Sequence, residues 1–237
     1  MITLEKTYDF LGGEVLLFDK ELNWTSFDVV QKVRYALCRQ LGIKKMKVGH
    51  AGTLDPLATG LLLLCTGKAT KKIESIQHKE KEYIATLKLG ATTPSFDMET
   101  EEDSTQSYEH VTMEMLQDAL SGLKGETEQV PPVFSAVKVN GRRAFEYARN
   151  NEELKLQPKK IVIHTITVEA FDLPHITIRV TCSKGTYIRA LARDIGEKLN
   201  CGAYLTSLKR TRIGEYKVDD AVKVEYFLKN LQTYVTI

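Results

Sequence analysis

At 237 residues, 43% of them hydrophobic, the chain is long enough to bury a sizeable core, as one large domain or two small ones, and too apolar to be disordered. Its net charge of +2 argues neither for nor against a nucleic-acid partner, so the distribution of charge matters more than the sum. Cys38, Cys65, Cys182 and Cys201 show no paired or zinc-type spacing, no secretory leader precedes them, and the longest apolar run is too short to cross a bilayer. A soluble cytoplasmic protein is expected, with reduced thiols, no disulfide, no metal and no membrane partner.

A first strand is predicted over Val15 to Asp19. A helix from Ser26 to Leu41 follows, with Val30, Val33, Leu37 and Leu41 on one face and Thr25 and Ser26 as cap candidates. Next comes G-H-A-G-T-L-D-P-L-A-T-G, Gly49 to Gly60, whose glycines, histidine and aspartate suit neither a regular helix nor an amphipathic strand. Pro56 drives Asp55 into an extended backbone and stiffens the following step, so the Asp55 carboxylate is held on a rigid corner. Leu61 to Cys65, bounded by Gly60 and Gly67, reads as a strand buried on both faces. A helix from Ala69 to Gln77 and a strand from Glu82 to Leu89 are predicted next, then a polar, exposed excursion from Thr92 to His110. Thr112 to Leu120 is a short amphipathic helix. Asn140-Gly141, between Val137-Lys138-Val139 and Arg142-Arg143, signals a hairpin, because this pair accepts the positive φ angles of a tight turn. Strands at Ile161 to Ala170 and Ile176 to Cys182 precede a helix from Thr186 to Leu199, and a helix-like segment lies near Asp219 to Leu231. Strands joined by short loops and interrupted by helices predict an α+β architecture.

Positive charge is clustered. Lys44, Lys45 and Lys47 lead into the aspartate loop and Lys68, Lys71 and Lys72 follow it. Arg142 and Arg143 sit at the hairpin, Lys184, Arg189 and Arg193 share one segment, and Lys209, Arg210 and Arg212 lie near the end. One such cluster is ordinarily a solvated face; several around one loop predict a phosphate-binding groove. Competing motifs fail. Gly67-Lys68 evokes a phosphate loop, but Leu62 stands where its first glycine belongs and Ala69 replaces its Ser or Thr. There is no G-x-G-x-x-G, H-E-x-x-H or G-x-S-x-G, which disfavours a nucleotide hydrolase, a dehydrogenase and a serine hydrolase.

The aspartate loop resembles the catalytic-aspartate motif of the pseudouridine synthases, in particular the bacterial tRNA pseudouridine synthase B family. Val15 to Lys20 with Trp24-Thr25-Ser26 resembles that family's opening strand and turn, Lys81-Glu82-Tyr83 its basic-tyrosine strand, and C-S-K-G-T-Y-I-R from Cys182 to Arg189 its arginine motif. The resemblance implies the pseudouridine synthase fold, a mixed, largely antiparallel sheet flanked by helices. It also implies isomerisation of uridine at position 55 in the T loop of tRNA. That chemistry needs no cofactor or metal. It needs a carboxylate near the glycosidic bond, a cation to keep it ionised, an aromatic wall and a base outside its stack. The resemblance makes Asp55 the carboxylate, Arg189 its ion partner, and Tyr83 the wall and route for the C5 proton. It places His50, Tyr187, Lys20, Lys71 and Asp97 at the substrate.

Each residue also has a plainer reading. Asp before Pro is a common turn former, Arg189 with Arg193 a common surface pair, Tyr83 ordinary strand packing, and Lys20 and Lys71 solvated charges. Glu21 and Asn23 replace the family's usual proline and glycine, and Thr92 to Asp97 keeps only Asp97 of an acidic, threonine-rich stretch. Relatives usually carry a C-terminal RNA-binding domain of the PUA type. Here a single catalytic domain over residues 1–237 is expected without it, with Gln129 to Asn150 as an RNA-gripping insertion, acting as a monomer on the T-arm stem-loop. The alternatives are another RNA target or a non-catalytic RNA-binding module.

Overall fold

The computed structural model describes residues 7–150 and 152–234. In chain order the strands are β1 (Val15–Lys20), β2 (Val48–His50), β3 (Ala58–Thr66), β4 (Lys81–Leu89), β5 (Ala91–Thr92), β6 (Ser104–Thr105) and β7 (Gly125–Gln129). They continue with β8 (Lys138–Val139), β9 (Arg142–Arg143), β10 (Lys159–Asp172), β11 (His175–Cys182), β12 (Ala203–Ile213), β13 (Tyr216–Lys217) and β14 (Val222–Lys223). The α-helices are α1 (Ser26–Gln40), α2 (Ile73–His78), α3 (Met113–Ser121), α4 (Ala144–Arg149), α5 (Ile188–Lys198) and α6 (Val224–Lys229). The chain divides into two compact units, one ending at Tyr83 and resuming at Lys209, the other running from Ile84 to Leu208.

The first unit is built on β3. β1 pairs with it antiparallel from Val15↔Cys65 to Lys20↔Gly60, β14 joins β1 in parallel, and β2 caps its far end with Val48 opposite Thr66. Leu62 and Leu64 pack with Phe18, Val33, Leu37 and Phe227, under α1 and α6. Leu61, Leu63 and Cys65 pack with Leu17, Ala51, Ile76 and Ile213. Both faces are dry, which is why this strand reads as an unbroken apolar run. Helix α1 starts with a capping box: the Thr25 hydroxyl accepts from the Asp28 N–H at 3.0 Å, and the Asp28 carboxylate accepts from the Thr25 N–H at 2.9 Å. Val33 and Leu37, fully buried on its inner face, contribute roughly 2 kcal/mol each.

In the second unit, β12 lies beside β4, and β11, β10 and β7 follow in that order. β10 and β11 form a long antiparallel hairpin, and β7 pairs antiparallel with β10 from Lys159↔Gln129 to Ile163↔Gly125. Asn140 and Gly141 adopt φ +50° and +82° between β8 and β9, so the Asn-Gly hairpin forms as its residues predict. The architecture is α+β, a mixed and mostly antiparallel sheet with helices on it. Among the described residues no helix is long and apolar enough to cross a membrane.

The structure corrects several expectations. The helix predicted from Ala69 begins as a 3₁₀ segment, Gly67–Lys72, before α2; the Thr70 hydroxyl donates to Gly67 O at 2.8 Å. The Thr92 to His110 excursion is not exposed throughout, since Thr93, Ser95 and Asp97 are buried. Strands β7 and β12 are absent from the sequence prediction because polar side chains occupy buried slots: Gln129 in one, Arg210 in the other.

Candidate active site

Three side chains hold the loop around Asp55. The Ser26 hydroxyl accepts from Leu54 N at 2.8 Å and donates to Leu54 O at 2.9 Å, pinning the residue before the aspartate. On the other side, Pro56 O accepts from Asn23 N at 2.9 Å and from the Lys20 ammonium at 3.4 Å. Arg210, 1% exposed, donates to Gly52 O at 3.1 Å, Thr53 O at 3.2 Å and Leu61 O at 2.8 Å. One buried fork therefore joins both ends of the loop to β3. Gly60 has to be glycine: its φ is +97°, and a Cβ there would lie 2.3 Å from Arg210 O. Asp55 is half-buried on this fixed scaffold.

Lys20 is not a solvated lysine. It is fully buried, donating also to Glu21 O at 2.9 Å and Trp24 O at 2.6 Å. Burial pushes its ammonium down to about 8, while the charge on Asp55 works in the opposite direction. Burial, and then the charge of Arg210, holds the half-buried His50 imidazole below its ordinary value, so the ring is neutral at neutral pH. Tyr83 is half-buried in β4, and Lys71 is exposed in the 3₁₀ segment. Sequence reasoning did not anticipate the roles of Ser26 and Arg210. Ser26 resembled a helix cap, and Arg210 one member of a basic cluster. Arg210→Met is expected to lower stability by roughly 2–4 kcal/mol, because three carbonyls lose a charged donor together. Urea unfolding of the variant beside wild type measures this, and an unchanged midpoint would show that the loop does not depend on the fork.

The second unit holds Arg189, Asp97 and Tyr187. Arg189, 5% exposed, places Nε 3.5 Å from the Asp97 carboxylate and donates to Ser95 O at 3.2 Å and Phe134 O at 3.0 Å. A merely exposed surface pair is ruled out for it. Tyr187 stands at the start of α5, where the buried Gln129 amide clamps its backbone, accepting from Tyr187 N at 2.8 Å and donating to Tyr187 O at 3.1 Å. That clamp is the use of the buried glutamine in β7.

The charge clusters are also resolved. Arg142 is taken up bidentately by Glu152, at 2.9 and 3.0 Å, Arg212 pairs with Glu80, and Arg210 is buried, so these three do not form an open phosphate groove. Lys44, Lys45, Lys47, Lys68, Lys71 and Lys72 remain exposed, with no carboxylate within ion-pair distance among the described residues. Pairing of β2 with β3, and the hydrogen bond from Gly67 N to Lys47 O, bring the two lysine runs together.

Comparison with known proteins gives a concordant result. Residues 39–188 match the model of the TruB family pseudouridylate synthase N-terminal domain, and residues 189–236 that of the tRNA pseudouridylate synthase B C-terminal domain. The chain is 60% identical over 219 residues to tRNA pseudouridine synthase B of Phocaeicola vulgatus, covering 92% of this chain and 93% of that one. It is 49% identical over 225 residues to the protein of the same name from Flavobacterium johnsoniae, covering 94% and 98%. Among solved structures, a chain in a Cbf5-Nop10-Gar1 complex superposes with a TM-score of 0.69 at 26% identity over 96% of this chain, which spans 60% of that one. A family model over most of the chain, relatives of this identity along nearly their whole length, and an aspartate held on a braced loop lead to one assignment: the chain belongs to the TruB family of pseudouridylate synthases.

Proposed function

We propose that the protein converts the uridine at position 55 in the T loop of tRNA (tRNA numbering) to pseudouridine, with Asp55 as the catalytic carboxylate. The observation that carries this reading is the bracing of Asp55, whose neighbours on both sides are pinned by Ser26, Lys20 and Arg210, in a chain whose relatives are tRNA pseudouridine synthases. Such pre-organisation is what a carboxylate aimed at a glycosidic bond requires.

In this reaction the bond between uracil N1 and ribose C1′ breaks, the base turns, C5 joins C1′, the C5 proton leaves and N1 takes up a proton. Substrate and product are isomers. The uridine has to leave its stack to reach Asp55. Arg189 keeps the carboxylate ionised, and Asp97 orients Arg189. Tyr83 forms the aromatic wall and the route for the C5 proton, Tyr187 contacts the substrate, and the neutral His50 ring meets the unstacked nucleotides. Lys20 holds the loop from behind. Lys71 and the lysines around it meet phosphates. The enzyme works as a monomer in the cytoplasm, where tRNA is found.

The test is to supply unmodified tRNA labelled with tritium at uridine C5 and to map the product. One tritium released per tRNA, with pseudouridine at position 55, is expected. Release from another position, or none, would overturn the reading. An isolated T-arm stem-loop is expected to react almost as well as intact tRNA. Each exposed lysine of the 44–47 and 68–72 runs changed to alanine is expected to reduce the slope of log affinity against log salt by about one if it contacts a phosphate.

A further inference from the structure

Phe96 has φ +61°, a left-handed backbone that bulky residues rarely adopt. The surrounding turn holds it there. Phe96 N donates to Thr93 O at 3.1 Å, Phe96 O accepts from Leu205 N at 3.0 Å, and the hydroxyls of Thr93 and Ser95 donate to Asp97 O at 2.7 and 3.2 Å. The left-handed step turns Ser95 O and the Asp97 carboxylate to the same side, where both meet Arg189. Two of the groups that orient this buried guanidinium therefore depend on one strained residue between them.

A second arginine holds that residue. Arg193 lies four positions beyond Arg189, on the same face of α5, with its guanidinium carbon 5.0 Å from the centre of the Phe96 ring. Its own orientation is set by Asp194, which accepts from Nε at 2.9 Å, while Nη1 reaches Val130 O at 3.4 Å. Helix α5 thus grips the turn at two points, the backbone around Phe96 through Arg189 and the ring through Arg193.

We propose that Phe96 and Arg193 are positioning residues for the isomerisation: the ring contact fixes the left-handed turn, and the turn aims Arg189. This rests on the role proposed above for Arg189. Arg193→Ala removes the grip on the ring, and Phe96→Gly removes the ring while accepting the same φ without strain. Each is expected to lower kcat about tenfold with KM for tRNA within about twofold of wild type. The double variant is expected to lose no more than either single one, because both remove the same contact. Arg193→Lys, which keeps a cation over the ring, and Phe96→Tyr are expected to retain most of kcat.

A nitrogen-15 spectrum of the arginine Nε–H groups gives a readout independent of turnover. The Arg189 signal is expected to shift or broaden in Arg193→Ala and to return in Arg193→Lys. Unchanged kcat and an unchanged Arg189 signal in both single variants would overturn the proposal, as would strictly additive losses or a rise in KM at constant kcat. A wild-type protein that releases no tritium from tRNA, yet shows the Arg189 signal moving with Arg193, would defeat the proposed function and leave the coupling between the two arginines standing.

Discussion

Asp55→Asn is expected to abolish turnover, by about 10⁴-fold or more, while tRNA affinity stays within about threefold of wild type. Asparagine keeps the shape of the side chain and removes the charge. The loop is also held by ties that do not involve the Asp55 side chain: Leu54 is tied to Ser26, Pro56 to Asn23 and Lys20, and Gly52, Thr53 and Leu61 to Arg210. The folded state therefore persists in the variant, and a loss of rate reports on chemistry. Tritium release from C5-labelled tRNA, read beside a filter-binding isotherm, separates the two quantities. Substantial release by the asparagine protein would remove Asp55 from the reaction.

Arg189→Lys is expected to lower kcat by about 10²-fold or more, because a single ammonium cannot reproduce a planar fork that serves three acceptors. In the structure that fork meets the Asp97 carboxylate, Ser95 O and Phe134 O at once, and the side chain is only 6% exposed. Lysine leaves at least one buried carbonyl without a donor, so a loss of stability of roughly 1–3 kcal/mol accompanies the change. Rates are accordingly to be normalised to the folded fraction, measured by near-ultraviolet circular dichroism. Near-normal turnover of the folded lysine variant would reduce Arg189 to a structural tie between α5 and the turn around Phe96. Asp97→Asn provides the companion measurement: a similar fall in kcat assigns the carboxylate to the same unit of function.

The elements that the sequence foretells are those in which backbone preference and burial agree. Helix α1 has its Thr25 cap, its Asp28 partner and an apolar face; β3 is continuous Leu and Cys between glycines; the Asn-Gly turn has the two residues that accept positive φ. The elements it conceals are those where a polar group is buried for a purpose. β12 loses its alternation at Arg210 because the guanidinium takes the inward slot and binds three carbonyls. β7 shows no apolar face because its most buried residue is Gln129, committed to the backbone of Tyr187.

The same distinction applies at the site. Local chemistry in the chain marks Asp55 before Pro56 as a carboxylate on a rigid corner and assigns the α+β class, whereas Tyr83, Tyr187 and Arg189 are marked only by the resemblance of their motifs to those of a family. Only the tertiary structure decided what each charge does. Lys20, Arg210 and Arg212 look alike in the sequence as basic residues, yet one is buried against three carbonyls, one braces the aspartate loop and one is neutralised by Glu80. Asp97 sits in a polar stretch that reads as exposed, yet it is buried against Arg189. The physical reason is that a charge is assigned its role by its partners, and apart from Glu21 O and Trp24 O beside Lys20 those partners lie tens to more than a hundred residues away, where no local pattern of hydrophobicity or turn chemistry records them.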